Sequence, residues 1–220
     1  MSRKKERNQM KLEHLNDFNK IIAERKSIRK YDPEVKISKV EMTEMLKLAS
    51  TAPSAANIQP WRVVVVESDE AKATLEPVLM GNKLQNETSS AMLLIFGDLL
   101  AYENVERIYD EAVEKQMMPL EVREQQVSTI RAGYSSLPTE VLREVVKTDA
   151  SLFAMQLMLI ARSYGYDTNP MTGFYQDQLA ETFSLDPERY VPVMILSIGK
   201  AVEEGYRSIR LTVDEFSSWK

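Results

Sequence analysis

Four short stretches of this chain carry side chains able to hold a planar, anionic ligand. Arg25, Ser27 and Arg29 alternate, so an extended backbone places all three on one face, and two guanidinium forks flanking a hydroxyl suit a phosphate in charge and shape. The same run also fits a solvated basic strand. Between Pro53 and Trp61 lies a small-residue loop bounded by two prolines, with Asn57 and Gln59 as amide hydrogen-bonders and short side chains that permit close backbone approach. That loop reads equally as an ordinary rigid turn. Asn169-Pro170-Met171-Thr172-Gly173-Phe174 could present the Thr172 and Gly173 N–H groups to a ligand edge. Arg207 and Arg210, three apart near the end, could clamp a phosphate from a second direction or remain surface charges.

Other chemistries lack their residues. The 220 residues include no cysteine, which removes disulfides, thiolate catalysis and cysteine metal sites and fits a reducing cytoplasm. The single histidine, His14, would have to build a triad or an imidazole metal cluster alone, so no metal is expected. Seven glycines are spaced too widely to spell GxGxxG, GxxxxGK or GxSxG. With 33 acids there are always pairs such as Glu203 and Glu204, and these read as solvated surface. A formal charge of -5 disfavours nucleic acid and anionic membranes, though a local basic pocket remains compatible with it. The longest apolar stretch, Leu152 to Ala161, is far short of the roughly 20 residues a bilayer requires.

The elements that must position these groups follow from periodicity and punctuation. Residues 1–14 read as a flexible polar lead-in, and 15–220 as one domain with no linker or repeat. Asn16 and Asp17 can cap a short helix bearing Phe18, Ile21 and Ile22. Ser38 and Glu41 spell a capping box for a helix whose Met42, Met45, Leu46 and Ala49 form one stripe, stopped by Pro53. Arg62 to Glu67, Met92 to Gly97 and Pro192 to Gly199 are short apolar strands. Asp69 to Glu76, Ala101 to Lys115, Leu120 to Arg131 and Thr139 to Lys147 are helical, and Ser151 to Arg162, apolar nearly all round, belongs at the centre. Strands and helices mix without regular alternation, which predicts an α+β domain whose sheet is covered by helices.

Taken in order, Arg25-Lys26-Ser27-Ile28-Arg29, the 52–61 loop ending Gln59-Pro60-Trp61, Gly81-Asn82-Lys83-Leu84-Gln85, 169–174 and Arg207-Ser208-Ile209-Arg210 resemble the nitroreductase family of FMN-dependent oxidoreductases. The match runs from about Asp17 to Trp219. The resemblance implies a mostly antiparallel central sheet, an interlocked homodimer with two FMN sites at its interface, NAD(P)H as reductant, and a ping-pong cycle with small-molecule electron acceptors such as nitroaromatics or quinones. Carried over by position, Arg25, Lys26, Ser27, Arg207 and Arg210 would hold the phosphate and ribityl chain, with Arg29 reaching towards flavin N1 and O2. Pro53, Ser54, Ala55 and Asn57 would line the flavin from a facing loop. Asn82 and Gln85 would contact the pyrimidine edge, and Met171, Thr172 and Gly173 would lie at the ring, the last two offering N–H groups to N5. Gln85 stands where some relatives carry lysine, which shifts the duty of stabilising anionic reduced flavin to Arg29. Thr172 stands where some carry glutamate. Within the same resemblance lie a specialist such as a dehalogenase, a flavin-fragmenting enzyme or an enal reductase, and an FMN-storage protein with little turnover. The helical region from Ala101 to Leu142 is the expected seat of acceptor selectivity.

Overall fold

The structure is a computed structural model that describes residues 16–220; the polar lead-in and His14 lie outside them. Four antiparallel strands form one sheet in the order β1 (Trp61–Val66), β2 (Ala91–Asp98), β4 (Tyr190–Gly199), β3 (Asp167–Met171). All eight residues of β2 are buried, because helices cover both faces. Ala91, Leu93 and Ile95 pack towards α2 (Lys39–Ala49) and α7 (Thr139–Ser163), whereas Met92, Leu94 and Phe96 face α3 (Asp69–Leu75) and α8 (Gln176–Thr182). A strand buried on both sides needs no polar alternation, which explains its continuous apolar run.

The capping signals are realised. Asp17 accepts from the Lys20 N–H at the start of α1 (Phe18–Glu24). Ser38 Oγ accepts from the Glu41 N–H while the Glu41 carboxylate accepts from the Ser38 N–H, and Met42, Met45 and Ala49 form the buried stripe of α2. The remaining helices are α4 (Lys83–Thr88), α5 (Val105–Glu114), α6 (Leu120–Ser135) and α9 (Val213–Phe216).

Two expectations are corrected. β3 was not foreseen: its Asp-Thr-Asn-Pro-Met sequence looks like punctuation, yet at the sheet edge Pro170 can face outward without breaking a ladder bond. The helices expected at 139–147 and 151–162 are one helix of 25 residues, and its apolar half is not central on every side. Phe153, Ala154, Leu157 and Ala161 enter the core, but Leu152 and Met155 stay exposed on the other face. No helix among the described residues is long and apolar enough to cross a membrane.

One buried charge joins β2, β1 and the segment that leads into β4. Asp98, at the end of β2, is fully buried and receives a bidentate pair from Arg189 at 2.8 and 2.9 Å, Arg62 of β1 at 3.0 Å and the Leu100 N–H at 2.9 Å. Hydrogen bonding to Asp98 drives the Arg189 guanidinium further above its ordinary range. Asp98→Ala should lower stability by about 3 kcal/mol, because both arginines lose their partner; urea unfolding of the variant against the wild-type chain measures it.

Candidate functional site

The basic run is extended, as its alternation requires. Ser27 bridges Thr168 of β3, and the Ile28 N–H donates to the Thr168 carbonyl at 3.1 Å, so residues 25–31 continue the sheet beyond its edge strand. Ile28 points inward and is buried. Tyr31 is fully buried, and its hydroxyl lies 2.8 Å from both the Ile28 carbonyl and Ser197 Oγ, anchoring the run to β4. Burial pushes the Tyr31 phenol above its usual range, which keeps it a proton donor.

On the outer side Arg25, Lys26, Ser27, Arg29 and Arg210 line a cavity of about 360 Å³ together with Asn169, Tyr206 and Ser208. None of its four cations has a carboxylate at ion-pair distance among the described residues. Asn169 and Arg29 also line a neighbouring cavity of about 600 Å³, so the two form one trough. The second part is bounded by Asn82, Gln85, Met171, Thr172 and Gly173, with Met80 and Pro170. Gln85 is buried and reaches Asn82 Oδ1, and Asn82 Nδ2 donates to the Gly173 carbonyl at 3.0 Å, tying α4 to the segment after β3. The Thr172 and Gly173 N–H groups have no partner among the described residues. The trough therefore offers a cationic end and, beyond Arg29, a slot edged by two free amide donors.

Other expected residues are not brought into it. Arg207 does not line the cationic cavity; Arg210 does, together with Tyr206 and Ser208 at alternate positions of the tail. Pro53 lines a separate apolar groove, and Asn57 a third cavity of about 450 Å³ with Gln59, Arg107, Tyr109 and Met118. Ser54 and Ala55 belong to the same loop, away from the trough on this chain.

Sequence reasoning missed the residues that clasp the tail over the basic run. Glu203, read as solvated surface, uses Oε1 to accept from the Arg29 N–H at 2.6 Å and the Lys30 N–H at 3.3 Å. Lys26 Nζ donates to the Glu204 carbonyl, and the Arg29 guanidinium sits 5.3 Å from the Tyr206 ring centre. Gly205 allows the turn between them: its φ is +68°, and a Cβ there would come within 2.9 Å of Ile28 Cδ1. The glycine following two acids was the available signal.

Comparisons with known proteins show what the whole chain is similar to. A family model described as the nitroreductase family matches residues 22–200. The Bacillus subtilis protein YdgI, named a candidate NAD(P)H nitroreductase, is 52% identical over 93% of this chain and 98% of its own length. A conjugated linoleic acid (CLA) biosynthesis enone reductase of Lactiplantibacillus plantarum is 36% identical over 89% of this chain and 90% of its own. Among solved structures, a candidate nitroreductase of Exiguobacterium sibiricum in complex with FMN superposes with a TM-score of 0.92 at 51% identity, covering 94% of this chain and 99% of that one. With its fold, its basic run and its amide-edged slot all in place, this chain belongs to the nitroreductase family.

Proposed function

We propose that this protein is an FMN-dependent NAD(P)H oxidoreductase working as a homodimer in the cytoplasm, with residues 15–220 as its FMN-binding domain. The observation that carries the reading is the trough. Four cations without a carboxylate partner at one end suit a phosphate, and two N–H donors without a partner among the described residues at the other suit the edge of a flat heterocycle. FMN has both features at opposite ends. Bound FMN would supply hydride-transfer chemistry between NAD(P)H and an acceptor that share one pocket, consistent with a ping-pong cycle.

The chain's own residues bind and orient. Arg25, Lys26, Ser27 and Arg210 hold the phosphate, while Thr172 and Gly173 donate to the ring edge. Asn82 and the neutral Gln85 lie at the pyrimidine side, leaving Arg29, which lines both parts of the trough, as the cation that stabilises negative charge on the ring.

The dimer explains what one chain leaves apart. Phe18, Ile21, Leu48, Pro53, Leu152 and Met155 line an apolar groove of about 560 Å³, and Ile209, Leu211, Phe216 and Trp219 of the tail are exposed. A second copy covering these surfaces removes them from water and brings its own 53–57 loop to the trough. For the acceptor, nitroaromatics and quinones are the first reading. Reduction of an enone is the second, favoured by the 36% identity to the enone reductase.

Arg25→Ala combined with Arg210→Ala should weaken FMN binding roughly a hundredfold, since each charge-assisted contact contributes about 1.5 kcal/mol or more. Quenching of flavin fluorescence on titration gives the affinity, and wild-type affinity in the double variant would refute the assignment. Light scattering should return the mass of two chains; a monomer retaining its full complement of flavin would contradict the dimer. Anaerobic NADH or NADPH should bleach the visible bands of bound flavin, whereas bands that persist under both would favour a storage protein.

A further inference from the structure

We propose that Asp149 is a positioning residue that fixes the left-handed 54–59 loop in the shape it offers to the flavin, an inference that rests on the FMN reading above. The loop is unusual in its backbone. Ala56, Asn57 and Gln59 have φ of +49°, +53° and +50° without a glycine among them, a conformation that L side chains rarely hold unless their surroundings impose it.

Part of the restraint is internal and cannot place the loop against the rest of the molecule. The Gln59 N–H donates to Ser54 Oγ at 3.1 Å, the Asn57 N–H to the Ser54 carbonyl, and Gln59 Nε2 to both oxygens of Asn57. Placement comes from outside. Ile58 is buried among Ala101, Val105, Val127 and Ile130, the Tyr109 hydroxyl donates to the Ala56 carbonyl at 3.3 Å, and Arg62 reaches the Gln59 carbonyl. At the entrance to the left-handed run, Asp149 Oδ2 accepts from the Ala55 N–H at 3.1 Å.

Asp149 projects from the first half of α7, the long helix against the sheet, and is buried without a cationic partner among the described residues. A carboxylate so placed is costly unless its acceptor capacity is used. Burial pushes its carboxyl above the ordinary range, and the Ala55 N–H pulls it back. The contact thus joins the longest helix among the described residues, which packs on the sheet, to the first residue of a strained turn. Asn57 and Gln59, which this turn aims, line the cavity beneath α5.

The test uses the full chain with Asp149→Leu, which keeps the size but removes the acceptor, and Asp149→Asn, whose amide oxygen can still accept from Ala55. Hydrogen exchange of the peptide spanning 54–59 and FMN affinity are both measured. One lost hydrogen bond to a charged group predicts about a tenfold loss of protection and about a tenfold weaker FMN affinity in the leucine variant. The asparagine variant should recover both, with exchange along residues 153–161 of α7 unchanged throughout. Wild-type protection and affinity in Asp149→Leu, or equal losses in both variants spreading along α7, would overturn the role of Asp149. Failure of the wild-type chain to bind FMN would instead overturn the reading on which it rests.

Discussion

Four cations share one cavity without a carboxylate between them, and that arrangement sets the terms for the elements around it. Like charges gathered at one cavity repel, and more strongly near a protein surface than in bulk water. Left to side-chain electrostatics, the run from Arg25 to Arg29 would splay apart. The fold holds it by its backbone instead: the Ile28 N–H pairs with Thr168, and Glu203 accepts from the N–H groups of Arg29 and Lys30. Glu203 thereby brings a negative charge close without neutralising a guanidinium, leaving the arginine side chains for a ligand. A ligand anion that binds this cavity relieves the repulsion, so occupancy and stability are coupled.

The sheet edge is where such a site can be built. β2 is covered on both faces and has neighbours on both sides, so nothing can approach it. β3 has a ladder partner on one side, and its free side receives the 25–31 run. Asn169 faces the trough from this edge strand, and Thr172 and Gly173 follow directly after it. The amide donors are free because the strand ends at Met171 and the chain turns away before its next pairing at Phe174.

This also explains what the sequence could and could not disclose. The alternation of Arg25, Ser27 and Arg29 was legible because a period of two marks extended backbone, and β1, β2 and β4 were legible as short apolar runs, although only β2 is buried along its whole length. β3 was hidden, since Asn169 and Pro170 serve an edge strand with residues that elsewhere mark turns. Glu203 was hidden because its role is played against a backbone 174 residues away in sequence, to which no local pattern points. Arg207 and Arg210 looked interchangeable, and only the path of the tail separates them. The left-handed turn at Ala56 left no trace, because alanine carries no sign of positive φ.

α7 connects the two halves of the chemistry. Near its end Arg162 pairs with Glu24 at 3.2 Å and Asp167 at 3.1 Å, bracketing the basic run and β3, while thirteen residues earlier Asp149 holds the 54–59 loop. At about 1.5 Å per residue those two anchor points lie about 20 Å apart along one helix. The loop and the trough of one chain are thus held at separate points of the same helix, and no residue of the 53–57 loop lines either part of the trough. On the dimer reading each flavin takes its trough from one chain and its loop from the other, and α7 fixes the spacing of both half-sites. Leu152 and Met155, exposed and apolar, lie on that helix between the two anchors and line the groove that also includes Pro53.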